Sequence, residues 1–365
     1  MLATAGAAAH AIALSTLVIL VGVACRRFGV LTSAKDLSAL QATFLEPALA
    51  FSALSSLTRA DFDLGAPLLL WAPLHAALSF CIAYALLPPS PRKGALLLCS
   101  SFGNAGALPN AIVPSMLPGA SIGRGLLFIQ VYMVPWRILL WSAGPTLLQK
   151  WSAGTAKKND DNNESSEPAP SKGQSLRALL LPPPTIGSLL GLAVACAPAG
   201  FRHVLGKGSG PLAFVFAAAA QVGNASPPIA LIGLGIALSA GADAGPSSQG
   251  TKRQHEMRFT SWELAVCTAT RLLLVPCIHI GIVLIRASVG ASAAVPPSNK
   301  LEPLSDPLTL VLLLQAGMPS AASMQALFQR SGADPAPLGR LLAWQYVLAA
   351  PAVVAQTVMA SILLS

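Results

Sequence analysis

The chain has 365 residues, of which 23 are Lys or Arg and 14 are Asp or Glu, so charged residues make up only 10%. Hydrophobic residues make up 54% and mean hydropathy is +0.64. Soluble domains carry roughly 25% charge; this share cannot clothe a water-facing surface, which excludes an ordinary soluble enzyme and points to a polytopic membrane protein.

The aromatic share of 6% disfavours a girdled β-barrel. The net charge of +9 suits cytosolic loops of a membrane protein. No basic run is interleaved with aromatics, so no nucleic-acid partner is expected.

Ten apolar segments follow in order: 8–25, 37–57, 65–87, 94–117, 125–148, 184–200, 211–239, 260–285, 306–328 and 338–362. Most approach the roughly 20 residues that cross about 30 Å of hydrocarbon. Lipid offers no partner to backbone amides, so they are expected to be helices. The first segment has no basic residue ahead of it, and Arg26 and Arg27 follow it, which is the wrong order for a cleavable signal. Loops after the odd-numbered segments carry most of the Lys and Arg, including Arg26, Arg27, Lys35, Arg92, Lys93, Lys150, Lys157 and Lys158. The other loops carry Arg59, Arg124, Arg202, Lys207, Arg286 and Lys300. The odd loops are therefore expected in the cytosol, with both termini on the lumenal or extracellular side.

Gly154 to Gln174 is polar and rich in Ser, Asn, Glu and Pro. It reads as a disordered cytosolic linker, here 150–177, between two five-segment halves, 1–149 and 178–365. A second polar loop runs from Gly241 to Arg258. Cys25, Cys81, Cys99, Cys196, Cys267 and Cys277 all lie in apolar stretches without metal-ligand spacing and read as small hydrophobes. No metal or cofactor is expected.

The halves resemble each other in order. Segment two has Glu46-Pro47, and segment seven Pro227-Pro228. Segment three has Pro73 then His75, and segment eight Pro276 then His279. Segment four has Leu108-Pro109-Asn110, and segment nine Met318-Pro319-Ser320. Segment five has Gln130 before Pro135, and segment ten Gln345 before Pro351. Five is odd, so the second copy enters from the opposite side. That predicts an inverted repeat, with Gly/Pro-interrupted segments marking a binding site near the midplane. Segments four and nine fit best, through Gly103, Asn104, Gly106, Pro109 and Asn110, and through Gln315, Gly317, Pro319 and Ser320. Broken helices crossing there would present half-helix N-termini to a carboxylate. The alternative is two Pro-kinked packing helices with Asn as an interhelical bond.

Asn104 and Asn110 each offer two amide donors for a carboxylate. Gln315 and Ser320 take the mirror role in segment nine, and Gln130 and Tyr132 on segment five are placed to reach the same cavity. Glu46 is the only carboxylate well inside a segment. It suits a proton-coupling role, a pairing with Arg271 or Arg137, or a water-filled vestibule. Arg271 either attracts the anion or ties helices together. His10, His75 and His279 read as packing or hydrogen-bonding groups. No GxSxG, HExxH, paired GxGD or DDxxD motif is present. Gly206-Lys207-Gly208 lacks the Ser/Thr and upstream Gly of a phosphate loop. An enzyme is not expected.

These residues resemble the auxin efflux carrier family, its PIN-LIKES branch above the long-looped PIN branch. Phe44-Leu45-Glu46-Pro47-Ala48-Leu49 is similar to the family's F-x-x-P-A-L. The stretch from Gly103 to Pro109 is similar to G-N-x-G-x-x-P, and Pro183 to Gly191 to the N-P-x-x-I-G-x-x-x-G opening of the second half. Arg271 to Pro276 resembles R-x-x-x-x-P, and Trp344-Gln345-Tyr346 resembles W-T-Y. Most specific is Val311 to Ala321, similar to V-L-L-L-Q-x-x-x-P-P-A. Glu46 stands where the family often has Asn, and Ser320 where it has a second Pro. The resemblance implies an all-α fold of ten transmembrane helices in two inverted five-helix repeats, bile-acid-symporter/NhaA-like, with an elevator-type transport domain. It also implies an auxin-like organic anion as substrate, a homodimer and the endoplasmic reticulum, with the plasma membrane as the PIN-branch alternative. A sodium-coupled organic anion symporter and a non-transporting ligand-binding receptor remain as alternatives.

One topology test follows. A tag in the 154–174 linker is expected to be reachable only from the cytosol, and a tag after Ser365 only from the other face. Protease protection showing both on one side would overturn the inverted arrangement.

Overall fold

The computed structural model describes residues 2–31, 33–90, 92–156, 182–198, 210–243, 259–291, 306–331 and 336–364. Among them, seven helical stretches are long and apolar enough to cross a membrane: Gly6–Arg27, Lys35–Leu54, Arg59–Leu86, Gly119–Leu148, Ala213–Ser239, Ser261–Ile285 and Pro337–Leu363. They correspond to segments one, two, three, five, seven, eight and ten.

The remaining three segments are not single long helices. Segment four is split into α4, Lys93–Ser101, and α5, Ala107–Met116. Segment nine is split into α11, Pro307–Gly317, and α12, Met324–Arg330. Segment six is α7, Pro183–Cys196, and the rest of its stretch lies outside the described residues. The others are α1, Leu2–Arg27; α2, Lys35–Leu54; α3, Arg59–Leu86; and α6, Gly119–Ala156. Segment seven is divided at Ala225 into α8, Ala213–Asn224, and α9, Ser226–Asp243. Segment eight is α10, from Ser261 to Ala291, and segment ten is α13, Ala336–Leu364. Two boundaries differ from the sequence reading. Helix α6 runs past 149 to Ala156, and α9 runs past Gly241 to Asp243. The rest of the 150–177 linker and of the 241–258 loop lies outside the described residues.

Two helices widen for one turn. Gln41–Leu45 and Thr270–Leu274 are π-helical, and each turn ends two residues before a proline, Pro47 or Pro276. A proline ring collides with the carbonyl four residues back and removes its own N–H. The wider turn places that carbonyl, on Thr43 or Leu272, inside the bulge, a known way to accommodate the lesion. In α10 the same turn carries Arg271.

Helix α1 packs along α9, and α7 and α8 pack along α2. Small residues make these approaches close. A Cβ on Gly22 would overlap the Ile232 carbonyl, and one on Gly235 the Ile19 carbonyl. A Cβ on Gly187 would strike the Pro47 backbone, and one on Gly191 would meet Phe51 and Leu54. Without a hydrophobic force between helices in lipid, this backbone contact is a main source of association. On the other side, α3 packs on α6 and α4, α6 on α11, and α10 on α11 and α13. Helix α13 also touches α1 and α9.

Gly22→Ala and Gly235→Ala are expected to lower the melting temperature of purified protein, at about 1–3 kcal/mol for an overpacked contact. Gly281, whose Cβ would meet nothing within 4 Å, is the control: Gly281→Ala is expected to leave the melting temperature unchanged or raise it.

Candidate functional site

The two interruptions meet. Gly103 and Ser320 form an isolated antiparallel bridge. The Asn104 N–H donates to the Pro319 carbonyl at 2.6 Å, and the Ala321 N–H to the Phe102 carbonyl at 3.0 Å. Local chemistry explains each break. Pro319 forces Met318 into extended geometry, φ −73° and ψ 137°, ending α11. Phe102 ends α4 with φ −112° and ψ 100°. The following Gly103 has no room for a Cβ, which would overlap the Arg271 guanidinium.

Side chains complete the pairing. Asn104 donates through Nδ2 to Tyr346 Oη at 2.6 Å and accepts the Ala107 N–H on Oδ1 at 3.1 Å. Gln315 Nε2 donates to the Ala105 carbonyl at 2.9 Å. The Ser320 hydroxyl donates to the Cys99 carbonyl at 2.6 Å, and its N–H donates to Gln345 Oε1 at 2.6 Å. The amides of residues 104, 105, 107, 320 and 321 are therefore occupied within the crossing. This changes the expected chemistry: a carboxylate here must look to side-chain donors beside the breaks.

Those donors line a cleft of about 540 Å³ among α1, α2, α5, α6, α8 and α9. Asn110, Gln130 and Asn224 supply its amides, and Leu49, Leu127 and Pro227 belong to its apolar wall. None of the lining side chains is charged. Gln130 is 1% exposed. Its Oε1 accepts from Arg137 Nη2 at 3.1 Å, and arginine only donates, so the amide orientation is fixed. That leaves Nε2 with no partner among the described residues. Arg137 also donates to Ser188 Oγ at 3.1 Å and interacts electrostatically with Glu46. Gln130 thus stands in the cleft wall with a buried, unspent donor, and a cation stands one bond behind its amide. Asn110 Nδ2 spends one proton on the Gly106 carbonyl at 2.9 Å and keeps the other.

Of the candidate residues, only Asn110 and Gln130 line this cleft. Asn104, Gln315 and Ser320 are buried in the crossing itself. Pro319 lies in the break, but Pro109 sits inside the first turn of α5, beyond it. A proline there breaks nothing, because that turn's amides have no intrahelical acceptor. Tyr132 is buried and does not line the cleft, its hydroxyl 2.8 Å from His75 Nδ1. Glu46 borders a separate small cavity with Trp141 and Ser323 and accepts from Gln41 Nε2 at 3.0 Å. Arg271 reaches Met318, Ser100 and His75. Asn224 was missed. Its signal was available: Gly223-Asn224 stands before Pro227-Pro228, where segment seven breaks. A larger cleft of about 650 Å³ between α10 and α13 is almost wholly apolar, with Arg340 among its few polar groups. It offers no convergent amides. Among the described residues no cluster of His, Cys, Asp or Glu could hold a metal ion.

Interrupted apolar helices around a cleft with amide donors are the arrangement expected of a membrane transport fold. The chain belongs to the family of membrane transport proteins, which it matches over residues 10–355. Over 170 residues it is 30% identical to Protein PIN-LIKES 2 of Arabidopsis thaliana; the match covers 47% of this chain and 32% of that relative, so it spans about a third of the relative's length.

Tyr346→Phe is expected to leave the Asn104 donor unsatisfied, costing about 1–3 kcal/mol of stability. Thermal unfolding in detergent checks it; an unchanged transition would show that the crossing does not depend on this bond.

Proposed function

We propose that this protein is a secondary carrier or uniporter of auxin-like organic anions such as indole-3-acetate, moving them by an elevator-type step. On this reading it contributes to intracellular auxin homeostasis from the endoplasmic reticulum membrane. Residues 1–149 and 178–365 form two inverted five-helix repeats, and the 150–177 linker lies in the cytosol. Support for the repeat comes from packing: α1 lies on α9 much as α7 lies on α2, each pair joining one half to the other. The two paired breaks also occupy equivalent places in the halves.

One observation carries the substrate class. Gln130 lines an apolar cleft, its buried Nε2 has no partner among the described residues, and Arg137 donates to the same amide. A ligand that is an apolar ring with one carboxylate satisfies both features. The ring replaces water on the walls. The carboxylate accepts from Gln130 and Asn110, and Arg137 polarises the Gln130 donor. A formal cation in the cleft would hold the anion more tightly and slow its release; neutral amides suit a carrier that must let go.

Hydrogen bonds to a charged acceptor are worth about 1.5–3 kcal/mol each. Asn110→Ala and Gln130→Leu are therefore expected to weaken indole-3-acetate binding about tenfold to a hundredfold. Asn110→Asp is expected to weaken it further through like-charge repulsion in a partly dehydrated site. The neutral indole-3-acetamide should suffer less from Asp than the acid does. Binding per folded molecule measures this, and equal losses for acid and amide would remove these residues from the site.

A further inference from the structure

We propose that the apolar cleft between α10 and α13 is a lipid site: it takes one acyl chain of an anionic phospholipid from the surrounding bilayer, and Arg340 at its mouth holds the phosphate. Geometry and charge carry the site itself. Only the leaflet depends on the topology proposed above, which makes it the cytosolic one, where anionic lipids lie.

The cleft has a volume of about 650 Å³ and two walls, Ser261 to Leu273 on α10 and Arg340 to Ala352 on α13. Each wall contains a deformed stretch, the π-helical turn Thr270–Leu274 in α10 and Pro351 inside α13. The two helices run in the same direction. Arg271 donates to the Met318 carbonyl, and α10 from Val275 onward packs back along α11. On α13, Gln345 accepts from Ser320, and further on Gln356 donates to the Leu313 carbonyl. Both helices therefore leave the crossing toward the start of α11, and Ser261 and Arg340 belong to the same end of the cleft. From Arg340 to Ala352 the helix rises about 18 Å, close to the depth of one leaflet in a hydrocarbon core about 30 Å thick.

Charge sits at one end only. Arg340 is exposed and forms no ion pair among the described residues. Glu263, near the same end of α10, is buried and already engaged by Arg92, Ser90 and the Thr260 N–H. Trp262, in the first turn of α10, is 62% exposed, which sets this end at the headgroup level where such rings collect. Deeper in, the walls are apolar apart from Thr268 and the indole N–H of Trp344, and Leu273, Trp344 and Leu348 are open to the outside. A phospholipid matches each part. Its phosphate accepts from the guanidinium fork, its ester region meets the Trp344 N–H, and its chain covers the apolar walls. An apolar helix laid there would cover the charge without an anion to meet it. Helices α10 and α13 also carry Arg271, Gln345 and Tyr346 to the crossing, so a chain wedged between them steadies that unit.

The test uses the full chain in detergent, with phosphatidylserine or phosphatidylcholine of identical acyl chains added at equal ratios. Native mass spectrometry measures retained lipid, and thermal unfolding measures stability. Phosphatidylserine is expected to be held about fivefold more tightly than phosphatidylcholine, the worth of one Arg against an anionic headgroup, and to raise the melting temperature saturably. Arg340→Gln, at an exposed position, is expected to fold and to lose this preference. Ala265→Trp, or Ala352→Phe on the facing helix, fills the cleft and is expected to remove the stabilisation by both lipids with Arg340 still in place. Wild type that treats the two lipids alike overturns the assignment. So does a preference that survives Arg340→Gln, stabilisation that survives both filled variants, or oleate alone reproducing the full effect. A dimer that the filled variants split, with the lipid response intact, would give the cleft to a second copy instead. None of these measurements involves transport or sidedness, so the lipid site can fail while the carrier and topology readings stand, and the reverse.

Discussion

The fold depends on one constraint: a backbone group inside hydrocarbon has no water to turn to. Two apolar helices are broken, and each break is satisfied by the other. The antiparallel contact of Gly103 with Ser320 takes up backbone groups, while Asn104, Gln345 and Arg271 take up others. Neither break is viable alone. The crossing is thus a single unit to which α4, α5, α10, α11 and α13 are all tied.

That unit leaves the cleft its particular chemistry. Because the crossing consumes its own central amides, ligand donors come from side chains on its flank. Gln130 and Asn110 stand on helices fixed to the crossing, while Asn224 and Ser52 stand on the opposite wall, from α8 and α2. The cleft is thus lined from both sides by packed helices. Backbone-close glycine contacts join α1 to α9 and α7 to α2.

Much of this was legible because it is local. Charge scarcity and segment length predicted apolar helices, and Gly103, Gly106 and Pro319 marked interruptions through their own backbone chemistry. The partners were not legible. Tyr346 and Gln345 reach the crossing from a helix far along the chain, and only packing decides which amide they meet. Pro109 was given weight as a breaker, but in the first turn of a helix proline disturbs nothing. The free amides expected to hold a carboxylate turned out to be paired, since sequence spacing cannot reveal that two breaks lie in register. Arg271 was read as drawing an anion or tying helices; its three contacts to carbonyls of two broken helices favour the tie.

The most direct measurement is counterflow of labelled indole-3-acetate into liposomes holding the purified chain and unlabelled ligand, with sodium absent on both sides. The account predicts saturable exchange whose apparent affinity Gln130→Leu lowers about tenfold to a hundredfold at equal folded protein. Binding of the ligand without any exchange would contradict it and leave a receptor in its place.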